Sequence, residues 1–353
     1  MILASILWLP VGTERPTHAD QNSSEALSDE ATATLSSLEK VDDYPLYTMH
    51  YYGSYEQGAS SIEGQTASMG LARSTARRAP TPPAWACTLF AALGDAKNRL
   101  YGRNFDWEFS PALLLFTQPP DGYPSVSMVD IAYLGFGGTR ARTLLDLPLQ
   151  ERRALLDAPF LPFDGMNAYG LTIAMAAVPP GQMRSDPQKE TIDSLGVIRK
   201  MLDHARTVDE AVTILQSYNI DMTGGPPLHY LIADSSGRAV LVEFYQGEMI
   251  LLANEKAWHV ATNFLRSSVK GSAAGQCWRY DTVSQRLSDA AGRVTLQEAG
   301  DLLTKVSQTG TQWSIVYGMS TGDVTVTMGR QYDKPSHRFH LSLVDPVVMR
   351  SGG

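Results

Sequence analysis

Cys87 opens an apolar run, ACTLFAAL (86–93), directly after a proline-rich stretch, APTPP (79–83). A cysteine does chemistry through its thiolate, and its surroundings set how much thiolate is present. Taken alone, Cys87 reads first as a small buried hydrophobe. The next strand-like stretch changes the balance. GRNFDW (102–107) places a cation, Arg103, and a carboxylate, Asp106, three residues apart at its end. Charges inside a sheet protein are costly unless they are paired or used. If the two stretches form a hairpin, Arg103 and Asp106 return alongside Cys87. A guanidinium there favours thiolate, and a carboxylate can orient an amine or imidazole base. The alternative is a surface hairpin with an ion pair, contributing about 0–1 kcal/mol.

Other candidates carry less. Trp107, Phe109 and Leu113 to Phe116, with Leu115 central, follow the charged hairpin and either line an apolar substrate pocket or fill a core. GFGG (135–138) lacks the dinucleotide spacing and any phosphate-binding lysine, and reads as a loop. There is no G-x-S-x-G elbow. Cys277, on an expected helix, reads as core; a Cys87–Cys277 disulfide would compete with a catalytic thiol. Two cysteines exclude a disulfide scaffold and a four-cysteine zinc site. The seven histidines are scattered, and His337 and His340 fall on opposite faces of a strand. No metal site and no cofactor are expected.

Composition bounds the rest. With 43% hydrophobic and 19% charged residues, the 353-residue chain can bury a core. A net charge of −8 argues against a nucleic-acid partner. No apolar run reaches the ~18 residues of a membrane span.

These residues need elements to position them. The apolar start, MILASILWLP, and Thr17-His18-Ala19 make 1–19 a signal-like segment without a basic n-region, so an exported, extracytoplasmic protein is expected, with a cytoplasmic one as the alternative. Residues 20–86 read as a pro-segment or small subunit, with a helix over 22–40, an aromatic strand over 44–55 and an exposed loop over 56–84. Strands are expected at 86–93, 99–107, 112–118 and 126–136, then a helix at 147–158 and a turn between two strands at 163–180. A helix pair follows at 190–205 and 207–218, the second opened by Thr207 with Glu210. Four strands (228–234, 239–245, 249–253, 259–264), another helix pair (277–290, 295–306) and three strands (313–320, 323–329, 337–344) complete the chain. Strand runs alternating with helix pairs imply an α+β protein with two sheets between helical layers.

The motifs taken together, Cys87-Thr88, GRNFD (102–106), GMNAYGL (165–171), Thr262-Asn263 and the late Tyr332-Asp333-Lys334 with His340-Leu341, resemble the N-terminal-nucleophile hydrolases of the choloylglycine hydrolase and acid ceramidase group. The resemblance runs from Cys87 to about Leu343. It implies an αββα four-layer sandwich, a catalytic domain over 87–353, and cleavage of linear, non-peptide amide bonds. It also implies roles. Cys87 becomes the first residue of the mature chain, with Sγ as nucleophile and its own α-amine as base, a group of pKa ~7.7–8.0. Asp106 holds that amine, Arg103 favours the thiolate, and Asn263 donates to the oxyanion. Arg279 is the late active-site arginine, with Arg266 as an alternative. Where bile-salt hydrolases and acid ceramidases carry an asparagine after GMNxxGL, this chain has Ala177, whose backbone N–H would have to complete the oxyanion hole. Asn167 reads as a turn residue. Eighty-six residues precede the cysteine, so self-cleavage of Ala86–Cys87, as in the acid ceramidase branch, is expected to leave a retained N-terminal fragment. The substrate expected is a small N-acyl amide with an apolar acyl group. An acyltransferase using the same thioester and a non-catalytic binding relative are the alternatives.

Overall fold

The computed structural model describes residues 26–55, 86–181 and 184–344. The signal-like segment and the 56–84 loop lie outside these residues.

Two sheets carry the architecture. In the six-stranded sheet, β3 (Ala86–Ala92) and β4 (Leu100–Asp106) form an antiparallel hairpin. The hairpin is flanked by β14 (Trp258–Ala261) on one side and by β15 (Thr311–Gly318), β16 (Asp323–Met328) and β17 (His337–His340) on the other. The nine-stranded sheet runs β1 (Glu39–Asp42), β2 (Leu46–Tyr51), β5 (Ala112–Thr117), β6 (Ser125–Asp130), β7 (Asp164–Asn167), β8 (Thr172–Ala177), β11 (Leu228–Ala233), β12 (Ala239–Tyr245) and β13 (Glu248–Ala253). Every pairing in it is antiparallel except β2 with β5. A separate parallel pair joins β9 (Glu190–Asp193) to β10 (Tyr218–Asp221).

Helices α2 (Gly196–His204) and α3 (Val208–Ser217) cover the nine-stranded sheet, and α4 (Trp278–Asp289) and α5 (Leu296–Lys305) cover the six-stranded one. The fold is therefore an αββα sandwich. Strands buried on both faces read as near-continuous apolar runs; β3 follows this, while the fully buried β15 also carries Thr311, Gln312 and Ser314, each hydrogen-bonded. Leu89, Ala91, Tyr101, Phe105 and Trp313 fill the space between the sheets with Ile173, Met175 and Leu231. Tyr101 crosses that space to donate to the Leu231 carbonyl at 2.9 Å.

The N-terminal segment is built into the sandwich. Helix α1 (Asp29–Ser36) is capped by Ser28, whose hydroxyl accepts from the Ala31 N–H. It is shorter than the expected 22–40, because residues 39–42 leave it to pair with β2. Leu35, Leu38, Tyr47 and Met49 are buried against Leu113, Leu115 and Leu155.

Other departures have local causes. The expected strand 126–136 stops at Asp130, whose carboxylate accepts from the Ala132 N–H and starts a 3-10 turn. The helix expected at 147–158 is 3-10 over Leu149–Phe160, with Pro159, which has no N–H, near its end. The helix expected from 190 begins at Gly196. The β-branched ETID run pairs as β9, and the Asp193 carboxylate then accepts from the Leu195 and Gly196 N–H groups at 3.0 and 2.8 Å.

Candidate active site

Cys87 lies one residue into β3, at the mouth of the intersheet space. The hairpin register sets Cys87 opposite Phe105 and Ala86 opposite Asp106. Arg103 lies two residues back along β4, on the same face as Phe105 and Cys87, so the hairpin sets thiol and guanidinium on one face, with Asp106 at the strand end opposite Ala86 on the other.

Two longer-range contacts complete the group. The Cys87 N–H donates to Asn263 Oδ1 at 2.7 Å, and Asn263 Nδ2 donates to the Ala177 carbonyl at 2.7 Å. Asn263 follows the end of β14, which pairs with β3. Arg279, in the first turn of α4, donates to the Cys87 carbonyl, to Thr88 Oγ1 at 3.0 Å and to Asn263 Oδ1 at 2.9 Å. Of the two candidate arginines, Arg279 is the one whose side chain meets Cys87 and Asn263, while the Arg266 backbone N–H goes to Glu243. Cys87, Arg103, Asp106, Asn263 and Arg279, widely separated in sequence, are brought together.

The electrostatics differ from the sequence expectation in one respect. Arg103 does act on the thiol, but burial is the larger effect and pushes the Cys87 thiol up. The Arg103 guanidinium is fully buried and engaged. It pairs with Asp164 of β7, donates to the Phe163 carbonyl at 2.6 Å, and lies 4.9 Å from the Phe105 ring centroid. Asp164 also accepts from the Tyr317 hydroxyl and from Trp313 Nε1 at 3.3 Å. The amino-acid pattern signalled Asp164 only weakly, as one acid in the FDGMN strand.

Asp106 stands in contrast. Its Oδ1 accepts from the Thr311 hydroxyl, and among the described residues its buried Oδ2 has no hydrogen-bond partner. Burial raises its carboxyl pKa to about 6, against the lowering effects of Thr311, Arg279 and Arg103. Thr311 carried no sequence signal.

A cavity of about 340 Å³ opens at Cys87. Phe105, Trp107, Tyr133, Phe163 and Met175 give it apolar walls, the usual character of a small-molecule site. Its charged lining residues are Asp193 and Asp221, opposed across β9 and β10. Trp107 therefore lines the cavity as expected. Leu115 does not. With Leu113 it faces the α1 and 3-10 layer on the far side of the nine-stranded sheet, because strand alternation turns that face of β5 away from the intersheet space. Phe109 packs edge-on against Tyr44 at 5.6 Å.

At Ala177 it is the carbonyl that meets Asn263; the expected backbone donor takes no part in a contact described here. Asn167 is a turn residue with its amide satisfied. Its Nδ2 reaches the Leu202 and Ala205 carbonyls, and its Oδ1 accepts from Tyr169 and Leu171. Cys277 is a half-buried free thiol at the N-cap of α4, not a core residue, and Cys87 is also free. Gly135, at φ +84°, closes the 3-10 turn before GFGG and lies on the cavity wall. His337 and His340 pair separately with Asp42 at 2.6 Å and Asp323 at 3.5 Å. Among the described residues no cluster of three or more His, Cys, Asp or Glu could hold a metal.

Comparison with known proteins covers part of the chain, with Asn263 inside the matched span and Cys87, Arg103, Asp106 and Arg279 outside it. Residues 152–267 match the model of the linear amide C–N hydrolases, choloylglycine hydrolase family. Among solved structures, a variant of the conjugated bile acid hydrolase from Clostridium perfringens is similar at TM-score 0.50 and 15% identity, over 72% of this chain and 92% of that one. Penicillin V acylase from Agrobacterium tumefaciens is similar at TM-score 0.49 and 14% identity, over 72% of this chain and 86% of that one. At such identity the first of these speaks for the sandwich fold alone.

Proposed function

We propose that the chain is a linear amide C–N hydrolase of the choloylglycine hydrolase family, whose model matches residues 152–267, and that it is a cysteine N-terminal nucleophile, exposed by cleavage of its own Ala86–Cys87 bond. The observation carrying this reading is the buried Oδ2 of Asp106, opposite Ala86 across the hairpin and without a hydrogen-bond partner among the described residues. A buried carboxylate oxygen lacking a partner is costly. A freed Cys87 α-ammonium would supply both the donors and the positive charge.

In the intact chain the Ala86–Cys87 bond would break by attack of Cys87 Sγ on the Ala86 carbonyl. The C–N bond gives way to a thioester, and the departing nitrogen gains a proton and becomes the α-amine. Water then hydrolyses the thioester, leaving the Ala86 carboxylate and the free thiol. The upstream piece would stay bound through β1, β2 and the buried α1 face.

In catalysis, Sγ gives its proton to the α-amine and attacks the substrate carbonyl. Asn263 Nδ2 carries two hydrogens, one on Ala177 and one left for the oxyanion. The tetrahedral intermediate collapses with loss of the C–N bond, and the α-ammonium returns its proton to the leaving amine. A water deprotonated by the α-amine then clears the thioester. Once cleaved, the α-ammonium adds a third cation near the thiol, after Arg103 and Arg279, and offsets part of the burial effect.

The aromatic walls suit an apolar acyl group. Asp193 and Asp221 disfavour an amine portion carrying negative charge. This replaces the Leu113–Phe116 stretch as the basis for an apolar substrate, since Leu115 lies elsewhere.

Intact mass and N-terminal sequencing of the wild type beside Cys87→Ala test the reading. Two fragments, one beginning at Cys87, with a single uncleaved and inactive variant, support it. Two uncleaved chains would remove the α-amine base and sink the mechanism. Adding an acceptor amine to the assay separates hydrolysis from acyl transfer.

A further inference from the structure

Glu243 lies in the middle of β12 and has no exposed surface. The catalytic scheme gives it no part. A buried carboxylate carries a desolvation cost of several kcal/mol unless close partners offset it. Its partners here are specific. Oε1 accepts from the Arg266 backbone N–H at 2.7 Å, and Oε2 accepts from the Ser267 backbone N–H at 2.8 Å. The equally buried His229, on the neighbouring β11, places Nδ1 3.2 Å from Oε1.

Both backbone donors belong to the short segment that leaves β14 carrying Asn263. The other side of that segment is also held. Phe264 packs edge-on against Tyr280 at 5.3 Å, adjacent to Arg279, and Leu265 is buried. Asn263 is thus suspended between a clamp on the nine-stranded sheet and a clamp on α4, three residues from the point where Glu243 grips the chain.

We propose that Glu243, braced by His229, is a positioning residue: it fixes the 263–267 segment so that Asn263 stands in register with the Cys87 main chain and the reacting carbonyl. The inference rests on the catalytic reading above. It explains why a carboxylate is retained where an apolar residue would pack. A two-oxygen acceptor can hold two successive N–H groups at once. Glutamine cannot, because its amide nitrogen would face a donor.

The test compares cleaved wild type with Glu243→Gln, using N-decanoyl p-nitroanilide as substrate, iodoacetamide as thiol probe, and hydrogen exchange at residues 266 and 267. The expected result is faster exchange at those two amides, and kcat lower by about tenfold or more, short of the ~10²–10³ lost with an oxyanion donor itself. KM should stay within about twofold and Cys87 alkylation should be unchanged. Ser267→Pro, which removes one donor from the loop side, should give the same kcat-only loss at smaller size and stands in if Glu243→Gln does not fold. An unchanged kcat in an active, folded variant overturns the positioning role alone, as does a loss spread equally over kcat, KM and alkylation. An inactive wild type overturns the catalytic reading and this inference with it.

Discussion

Two buried carboxylates, Asp106 and Asp164, sit within reach of the same arginine and have opposite surroundings. Asp164 bridges the sheets. Its oxygens take the Arg103 guanidinium, the Tyr317 hydroxyl and the Trp313 indole. Asp106, at the open end of β4, has the Thr311 hydroxyl on one oxygen and, among the described residues, no hydrogen bond on the other. A satisfied buried charge holds a fold together. An unsatisfied one beside a candidate nucleophile stores capacity for a charge that arrives later, and the Cys87 α-ammonium is that charge on the reading above. Arg103 acts on both carboxylates, pairing with Asp164 and lowering the Asp106 pKa through its charge, and its buried Nε and Nη2 make no hydrogen bond among the described residues.

The sharpest test is to remove each acid. Asp164→Ala leaves the Arg103 charge buried alone and should cost about 3–5 kcal/mol of stability, read by urea unfolding. Asp106→Asn keeps an oxygen for Thr311 and should lose no stability above neutral pH in the uncleaved Cys87→Ala background, while in the wild-type chain it abolishes amide hydrolysis. Equal stability losses in the two variants would break the contrast.

The same logic separates Leu115 from Trp107. Leu115→Ala should cost about 2–5 kcal/mol of stability with KM unchanged, because it is core on the far side of a sheet. Trp107→Ala should instead raise KM for a long-chain acyl amide, by up to about 10–100-fold if the full apolar contact of 1.5–3 kcal/mol is lost.

Asp106 also predicts a pH effect. Its carboxyl pKa is raised from 3.8 to about 6 in the intact chain. The folded state therefore binds the proton more tightly than the unfolded state. The resulting stability is fully present below pH ~4 and is lost as pH rises through about 6, with a swing of about 3 kcal/mol for a two-unit shift. Uncleaved Cys87→Ala should show this fall in chemical denaturation, and the double variant with Asp106→Asn should not. The smallest effect is at the cavity rim. Asp193→Asn with Asp221→Asn should improve the decanoyl amide of glycine over that of ethanolamine by a few-fold, and salt should weaken the difference.

Much of this was legible in the amino-acid order. Cys87, Arg103 and Asp106 could be grouped because a hairpin is a local device, and the β3–β4 register is the one their spacing requires. Asn263 and Arg279 came only through resemblance to a family, since no local rule joins positions 176 and 192 residues from Cys87. Short-range chemistry misled where it competed with pairing. The ETID stretch scans as the start of a helix but finds a parallel partner in β10.

Local patterning thus determined the strands, the hairpin and the three residues it gathers, because alternation and turn chemistry act over a few residues. The tertiary structure decided how charge is distributed among them. It gave Arg103 to Asp164, left Asp106 wanting a partner, made burial outweigh the guanidinium at the Cys87 thiol, and turned Leu115 away from the cavity that Trp107 lines. Solvation and pairing depend on what the opposite sheet presents, and no spacing along one strand contains that information.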